Sequence, residues 1–207
     1  MGGLLSNFRN TVILSVLLAL VIIGGYWHHH GGEADNIFWQ AVLRWLHVFA
    51  GILWIGLLYY FNFVQIRVMP NVPAELKPAV SKYIAPEALF WFRWSAFATW
   101  VLGMILAWLR SDQIPGYLVN CITMDGAEGF QNPQFIFMGM GMWLATIMFL
   151  NVWGIIWPNQ KIALGLVEAD ADKKAKAAKM AMLASRTNML LSIPMLTTMT
   201  MSQTLFG

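Results

Sequence analysis

The chain has 207 residues, of which 58% are hydrophobic and 11% charged, with a mean hydropathy of +0.59 and a formal net charge of +3. A soluble domain carries about 25% charged residues, so the composition excludes a water-soluble protein and is that of an integral membrane protein. Disorder, collagen-like repeats and a disulfide framework are excluded by the high bulky apolar content, 17 Gly, 8 Pro and one cysteine. That lone Cys121 also excludes a cysteine-rich zinc or iron–sulfur site and the C-x-x-C-H attachment of a c-type haem. Any redox centre is then held noncovalently, with no covalent haem c.

A helix needs about 20 apolar residues to cross the hydrocarbon core. The first run, 11–27, is TVILSVLLALVIIGGYW after Arg9. No small-x-small cleavage site follows it, so it reads as a retained helix and not as a signal peptide. The second, 37–65, carries Arg44 and His47 inside an apolar stretch. Pro70, Pro73 and Pro78 then predict a short connector with a surface helix running to Pro86. The third run, 87–109, holds four of the eleven tryptophans and Arg93.

A polar connector at 110–132, with Cys121, reads as a short external lid. The fourth run is 133–157, with Pro158 as its expected end. An Ala-rich charged stretch at 165–186 predicts an exposed surface helix. The last run, 187–206, is interrupted by Thr, Ser and Pro194, and must pack against protein. The expectation is an all-α, polytopic membrane helix bundle, one domain over 1–207, with about five transmembrane helices.

Ten of the thirteen basic residues fall on one side of that scheme: Arg9, Arg67, Lys77, Lys82, Lys161, Lys173, Lys174, Lys176, Lys179 and Arg186. By the positive-inside rule the N-terminus is cytoplasmic and the C-terminus outside. Because this basic charge lies in loops and not in a groove-reading element, it argues against a nucleic-acid partner and for a lipid bilayer.

Arg44, His47 and Arg93 remain within spans, where an ionisable residue costs about 2.5–3.5 kcal/mol on insertion scales. At about 100° per residue, Gln40, Arg44, His47, Gly51, Trp54, Asn62 and Gln65 form one stripe expected to face the bundle. His47 lies about 15 Å into the helix from its outer end, with Arg44 one turn nearer the outside. This spacing suits a b-type haem: His47 as axial ligand to the iron, Gly51 opening space beside the ring, Arg44 on the propionates. A neutral core His47 with a snorkelling Arg44 satisfies the same spacing.

No other run contains a His, so a second imidazole would come from His28, His29 and His30 or from another subunit. The methionines at 138, 140, 142, 148, 195, 199 and 201 are more often packing than ligands. His28, His29 and His30 are a weak metal-site candidate, since adjacent helical residues diverge by about 100°. Arg93 reads as an ion pair, an anion contact or an interfacial anchor. No Walker, Rossmann, nucleophile-elbow or zinc-protease motif and no internal repeat is present.

Three ordered segments carry a family likeness: RWLHVFAGILWIG at 44–56, NVWGIIWPNQK at 151–161 and SRTNMLLSIPML at 185–196. Together they resemble the membrane domain of the bacterial cytochrome-c-linked urate oxidases. The resemblance implies a bacterial inner-membrane location, and, for that family, urate oxidation with electrons passed to a cytochrome c domain. LHVFAGILWIGLLYYF is similar, more loosely, to the His-containing first helix of the haem-linked membrane protoporphyrinogen oxidases. The sequence departs from the urate oxidase pattern in lacking C-x-x-C-H, in Thr187 where that family has His, and in Gln203 where another His is expected.

Three functions fit. The first is a redox-linked inner-membrane protein, a haem b electron-transfer component working with a separate cytochrome c. The second is a structural or assembly subunit of a larger respiratory or oxidase complex, as a homo- or hetero-oligomer. The third is a stand-alone urate oxidase using a partner cytochrome.

Overall fold

A computed structural model describes residues 2–206, which contain helices and turns and no strand. The chain divides into two compact units, Met1–Val42 and Leu43–Gly207. Four helices are long and apolar enough to cross a membrane: α1 (Phe8–His29), α2 (Asn36–Asn71), α3 (Lys77–Arg110) and α5 (Pro133–Ala163). A short α4 (Tyr117–Ile122) lies in the connector between α3 and α5, and α6 (Ala171–Leu205) closes the chain.

In the first unit, Asn7 caps α1 by accepting from the Asn10 amide, and no residue of α1 is buried. A helix apolar all round presents no seam for a partner helix and is suited to lipid contact. Gly31 and Gly32 reverse the chain at φ +81° and +76°, a conformation that glycine adopts without steric penalty. Asp35 Oδ1 then accepts from the Phe38 amide at 2.8 Å and starts α2.

The second unit is a helix bundle with a core of Trp54, Leu58, Phe92, Ala96, Met148 and Ile156, each at most 2% exposed. Lipid is as apolar as these side chains, so close packing and interhelical hydrogen bonds hold such helices together, and not a hydrophobic drive. The polar seam supplies the bonds. Asn151 Nδ2 donates to the Ala184 carbonyl at 2.9 Å and to Asn188 Oδ1 at 2.7 Å, while the fully buried Asn188 donates to the Met148 carbonyl at 3.0 Å. Asn62 donates to Ser185 Oγ at 3.0 Å, and the Ser192 hydroxyl donates to Tyr59 OH at 3.2 Å, tying α2 to α6.

Several boundaries differ from the sequence reading. Prolines expected to end helices lie inside them. Pro158 sits in α5, which runs six residues past the expected end, and Pro86 sits in α3, which begins ten residues early. Each follows a wide π-helical turn, Val152–Ile156 and Val80–Ile84. A proline ring clashes with the carbonyl four residues back. Here that residue is Gly154 or Lys82, inside the widened turn, which opens the spacing and lets the helix continue.

The expected surface helix at 165–186 and the expected run at 187–206 are one helix. It starts at Ala171, where Asp170 accepts from the Lys173 amide at 2.7 Å, and residues 165–170 are not helical. No Gly or Pro separates Arg186 from Thr187, so nothing stops the helix there.

Two glycines of α5 set how closely its neighbours approach. A Cβ on Gly139 would overlap the Cys121 carbonyl of α4, and one on Gly141 would meet Thr198 Oγ1 of α6 at 2.5 Å. Around Gly154 nothing lies within 4 Å. Gly139→Ala is therefore expected to lower stability by about 1–3 kcal/mol through overpacking, while Gly154→Ala stays within about 1 kcal/mol of wild type. Thermal unfolding of the detergent-solubilised variants checks this: equal melting temperatures for the two would show that α4 does not rest on Gly139.

Candidate functional site

The expected stripe on α2 divides in two. Its inner half, Trp54, Asn62 and Gln65, lies within the bundle, with Trp54 1% exposed and its indole N–H unpartnered among the described residues. At its outer half Arg44 is exposed and His47 half-buried. The expectation that the whole stripe faces the bundle is corrected at Arg44, which is exposed, while Gln40 one turn nearer the outer end is only 6% exposed.

Two features of α3 hold His47. Its Nδ1 lies 2.8 Å from the Thr99 carbonyl oxygen, and its ring packs on Gly103, where a Cβ would come within 2.9 Å of Cε1. A carbonyl only accepts, so Nδ1 carries the proton and Nε2 the lone pair. Thr99 Oγ1 itself donates to the Ser95 carbonyl at 2.7 Å, and the missing side chain at Gly103 gives the imidazole its access to the Thr99 carbonyl. Ligating histidines are commonly fixed in this way, by a backbone carbonyl on the other ring nitrogen. At Gly51 a Cβ would lie in ordinary contact with Thr99 Cγ2 of α3 at 3.7 Å.

Beyond His47, toward the outer end, the bundle gathers Arg44, Arg110, Tyr117 and Cys121. Arg110 stacks over the Tyr117 ring at 5.0 Å, and its buried Nε has no partner among the described residues. The charged neighbour of Arg44 is Arg110, and no carboxylate acts on it. Two like charges kept together without a carboxylate form a place for an anion. Sequence reading placed Arg110 in an outer loop as a topology signal. Its relation to Arg44 was invisible because 66 positions separate the two.

Tyr117 and Cys121 sit one turn apart on α4, 3% and 0% exposed. Burial pushes the Tyr117 hydroxyl up to about 12, helped by Cys121 and opposed by Arg110 and Arg44. Burial likewise pushes the Cys121 thiol up to about 11, against the pull of its hydrogen bond with Tyr117 and of Arg110. A thiol this protonated is a packing group and not a nucleophile.

The remaining candidates lie elsewhere. His28, His29 and His30 do not converge. His30 Nδ1 lies 3.1 Å from the Tyr26 carbonyl and its ring stacks on Tyr26 at 4.0 Å. No group of three or more His, Cys, Asp or Glu could hold a metal among the described residues. Met148 and Met195 pack in the main core, and Met138 packs beside Cys121. Asn159 bonds the Ile155 carbonyl of its own helix and not a neighbour. Thr187 is exposed, with its hydroxyl on the Leu183 carbonyl.

Residues 116–204 match the family model described as urate oxidase N-terminal, so this stretch of the chain is urate oxidase N-terminal-like. The match covers α4, α5 and nearly all of α6, including the second and third motifs that carried the resemblance, and does not reach His47. Neither curated proteins nor solved structures give a match.

With the Cys121 thiol raised from 9.0 to about 11 in the fold, the unfolded chain loses its proton first as pH rises. The contribution to stability is full below about pH 9 and lost by about pH 11, on the order of 2 kcal/mol. The melting temperature of wild type is expected to fall toward that of Cys121→Ala across this window. Iodoacetamide at pH 8 is expected to label Cys121 only after denaturation, and rapid labelling of the folded protein would contradict the burial.

Proposed function

We propose that this chain is a redox-linked integral protein of the bacterial inner membrane, in which His47 offers Nε2 to the iron of a haem b and Arg44 and Arg110 face its two propionates. The observation that carries the reading is the His47–Thr99 hydrogen bond of 2.8 Å, which fixes the tautomer and leaves the Nε2 lone pair for a ligand, while Arg44 and Arg110, whose buried Nε has no partner among the described residues, stand toward the outer end of the same helices. The residues present fit the group in donor chemistry, and the orphaned Arg110 Nε is the buried polar atom that an anionic carboxylate would satisfy. Bound there, a haem b supplies one-electron transfer. His47 holds the iron, Thr99 orients the imidazole, and the arginines set register and favour negative charge.

The same reading takes α6 as a fifth crossing, with the N-terminus cytoplasmic and the C-terminus outside. Support comes from the inverted character of α6: it buries Ala184, Ser185, Asn188, Ser192, Thr198 and Ser202 and exposes Leu190, Ile193, Met201 and Leu205. A helix that hides its polar face and exposes its apolar one is built for lipid. The basic residues Arg67, Lys77, Lys82, Lys161 and Lys173 lie at the ends of α2, α3, α5 and α6 that short connectors bring to one end of the bundle, in keeping with that end being cytoplasmic.

A structural or assembly subunit is the second reading, favoured by the open flank of α2, where Val48, Phe49 and Ile52 are exposed beside His47. Oxidation of urate through a partner cytochrome is the third, favoured by the match of residues 116–204 to the urate oxidase N-terminal family.

One preparation separates them. Detergent-purified protein is expected to show a Soret band with reducible alpha peaks, lost in His47→Ala and weakened or shifted in Arg44→Gln and Arg110→Gln. A colourless, folded protein that co-purifies with other subunits in fixed ratio would overturn the haem reading in favour of the second. Urate-dependent reduction of added cytochrome c is the outcome the third requires.

A further inference from the structure

At the lysine-rich end of the bundle, α3, the end of α5 and the turn after it enclose a cleft of about 340 Å³ that no part of the preceding reading uses. Arg93 and Glu87 both line it, with Tyr83, Phe90, Trp157 and Leu166. Six positions apart on a regular helix, the two charged residues would lie on different faces. The cleft wraps the edge of α3, however, and both reach it. They are not paired to each other: no carboxylate acts on Arg93, whose guanidinium lies 3.8 Å from the Trp157 ring centroid and 5.4 Å from that of Phe90.

Stacking uses the face of the guanidinium and leaves its edge. Arginine presents five N–H donors in a fork that matches a phosphate, and none of those of Arg93 meets an acceptor among the described residues. Glu87 uses Oε1 to accept from the Trp91 indole at 3.0 Å, which leaves its second oxygen for another donor. A pure anion would find the Glu87 carboxylate in its way, and a pure cation would find Arg93. A zwitterion with a phosphate and a primary ammonium satisfies both, and the apolar wall of Leu166 and the aromatic rings suits an attached acyl glycerol. The location agrees: Tyr83 and Trp157 each lie six residues from the ends of α3 and α5 at this side of the bundle, and Arg93, midway along α3, is stacked on Trp157; tryptophan, tyrosine and a snorkelling arginine are groups of the membrane interface.

We infer that the cleft bounded by Arg93, Glu87 and Trp157 is a binding site for the headgroup of a phosphatidylethanolamine-type lipid, with Arg93 on the phosphate and Glu87 on the ammonium. The inference is independent of the haem reading, because none of its residues contacts His47, Arg44 or Arg110.

Native mass spectrometry of the full chain in detergent tests it, with palmitoyl-oleoyl phosphatidylethanolamine, phosphatidylcholine and phosphatidylglycerol titrated separately, and with O-phosphoethanolamine as the soluble form of the headgroup. Wild type is expected to bind the ethanolamine lipid at least fivefold more tightly than the other two. Arg93→Gln should weaken it about tenfold, and Arg93→Lys by less, since the charge remains without the planar fork. Glu87→Gln should abolish the preference over phosphatidylcholine while phosphate binding persists. Unchanged binding in Arg93→Gln, or equal affinity for phosphatidylglycerol and the ethanolamine lipid in wild type, overturns the site. O-phosphoethanolamine binding as tightly as the lipid overturns the lipid as its occupant. If Arg93→Gln fails to fold, the exposed Glu87→Gln decides alone: a retained preference for the ethanolamine lipid rejects the assignment.

Discussion

The Asn151–Asn188 pair is the contact on which the bundle depends. In lipid there is no water to satisfy a polar group that misses its partner, so an amide placed inside a span must be fully matched. Asn188 has no exposed surface, accepts from Asn151 and donates to the Met148 carbonyl, and Asn151 also reaches the Ala184 carbonyl. These bonds fix both the separation and the axial register of α5 and α6, because a shift of one residue along either helix would strand an amide. Small residues then line the rest of the seam. Gly141 on α5, and Ala177, Ala181 and Ala184 on α6, let the backbones come close enough for the asparagines to meet.

That registration reaches outward through α3 and α4. Gly139 receives the Cys121 carbonyl, which seats α4 and brings Tyr117 under Arg110. Thr146 on α5 accepts from the Trp100 indole of α3 at 3.0 Å, and α3 in turn holds His47 through Thr99 and Gly103. The candidate site therefore sits at the end of a chain of close contacts that begins at the asparagines. In its outer part Arg44 and the apolar flank of α2 are exposed.

The prolines show how the chain resolves a local conflict. Pro86 and Pro158 would each break a regular helix, yet each is preceded by a wide turn that contains the residue whose carbonyl it would strike. Pro194 sits inside α6 without such a turn, in a segment rich in serine and threonine hydroxyls that bond back to the preceding turn, as Thr197 and Thr198 do. At Pro86 and Pro158 the helix-breaking ring is thus absorbed by a widened turn, and the helices run longer than their apolar stretches.

The sequence by itself determined that this is an all-helical membrane chain, and it placed four of the apolar helices close to where they stand, because a run of about 20 apolar residues is a local property readable without any neighbour. It also singled out His47, since an ionisable residue in such a run is visible on inspection. What it could not reach were relations between helices. The merging of 171–205 into one helix depends on a buried stripe of alanine, serine and asparagine, which has little hydrophobic contrast and so no amphipathic signal. The exposure of Arg44, the contact of Thr99 with Gly51, and the placing of Arg110 near Arg44 were decided by tertiary packing. Helical periodicity says which residues share a face, while only the neighbouring helix says whether that face is covered and by what.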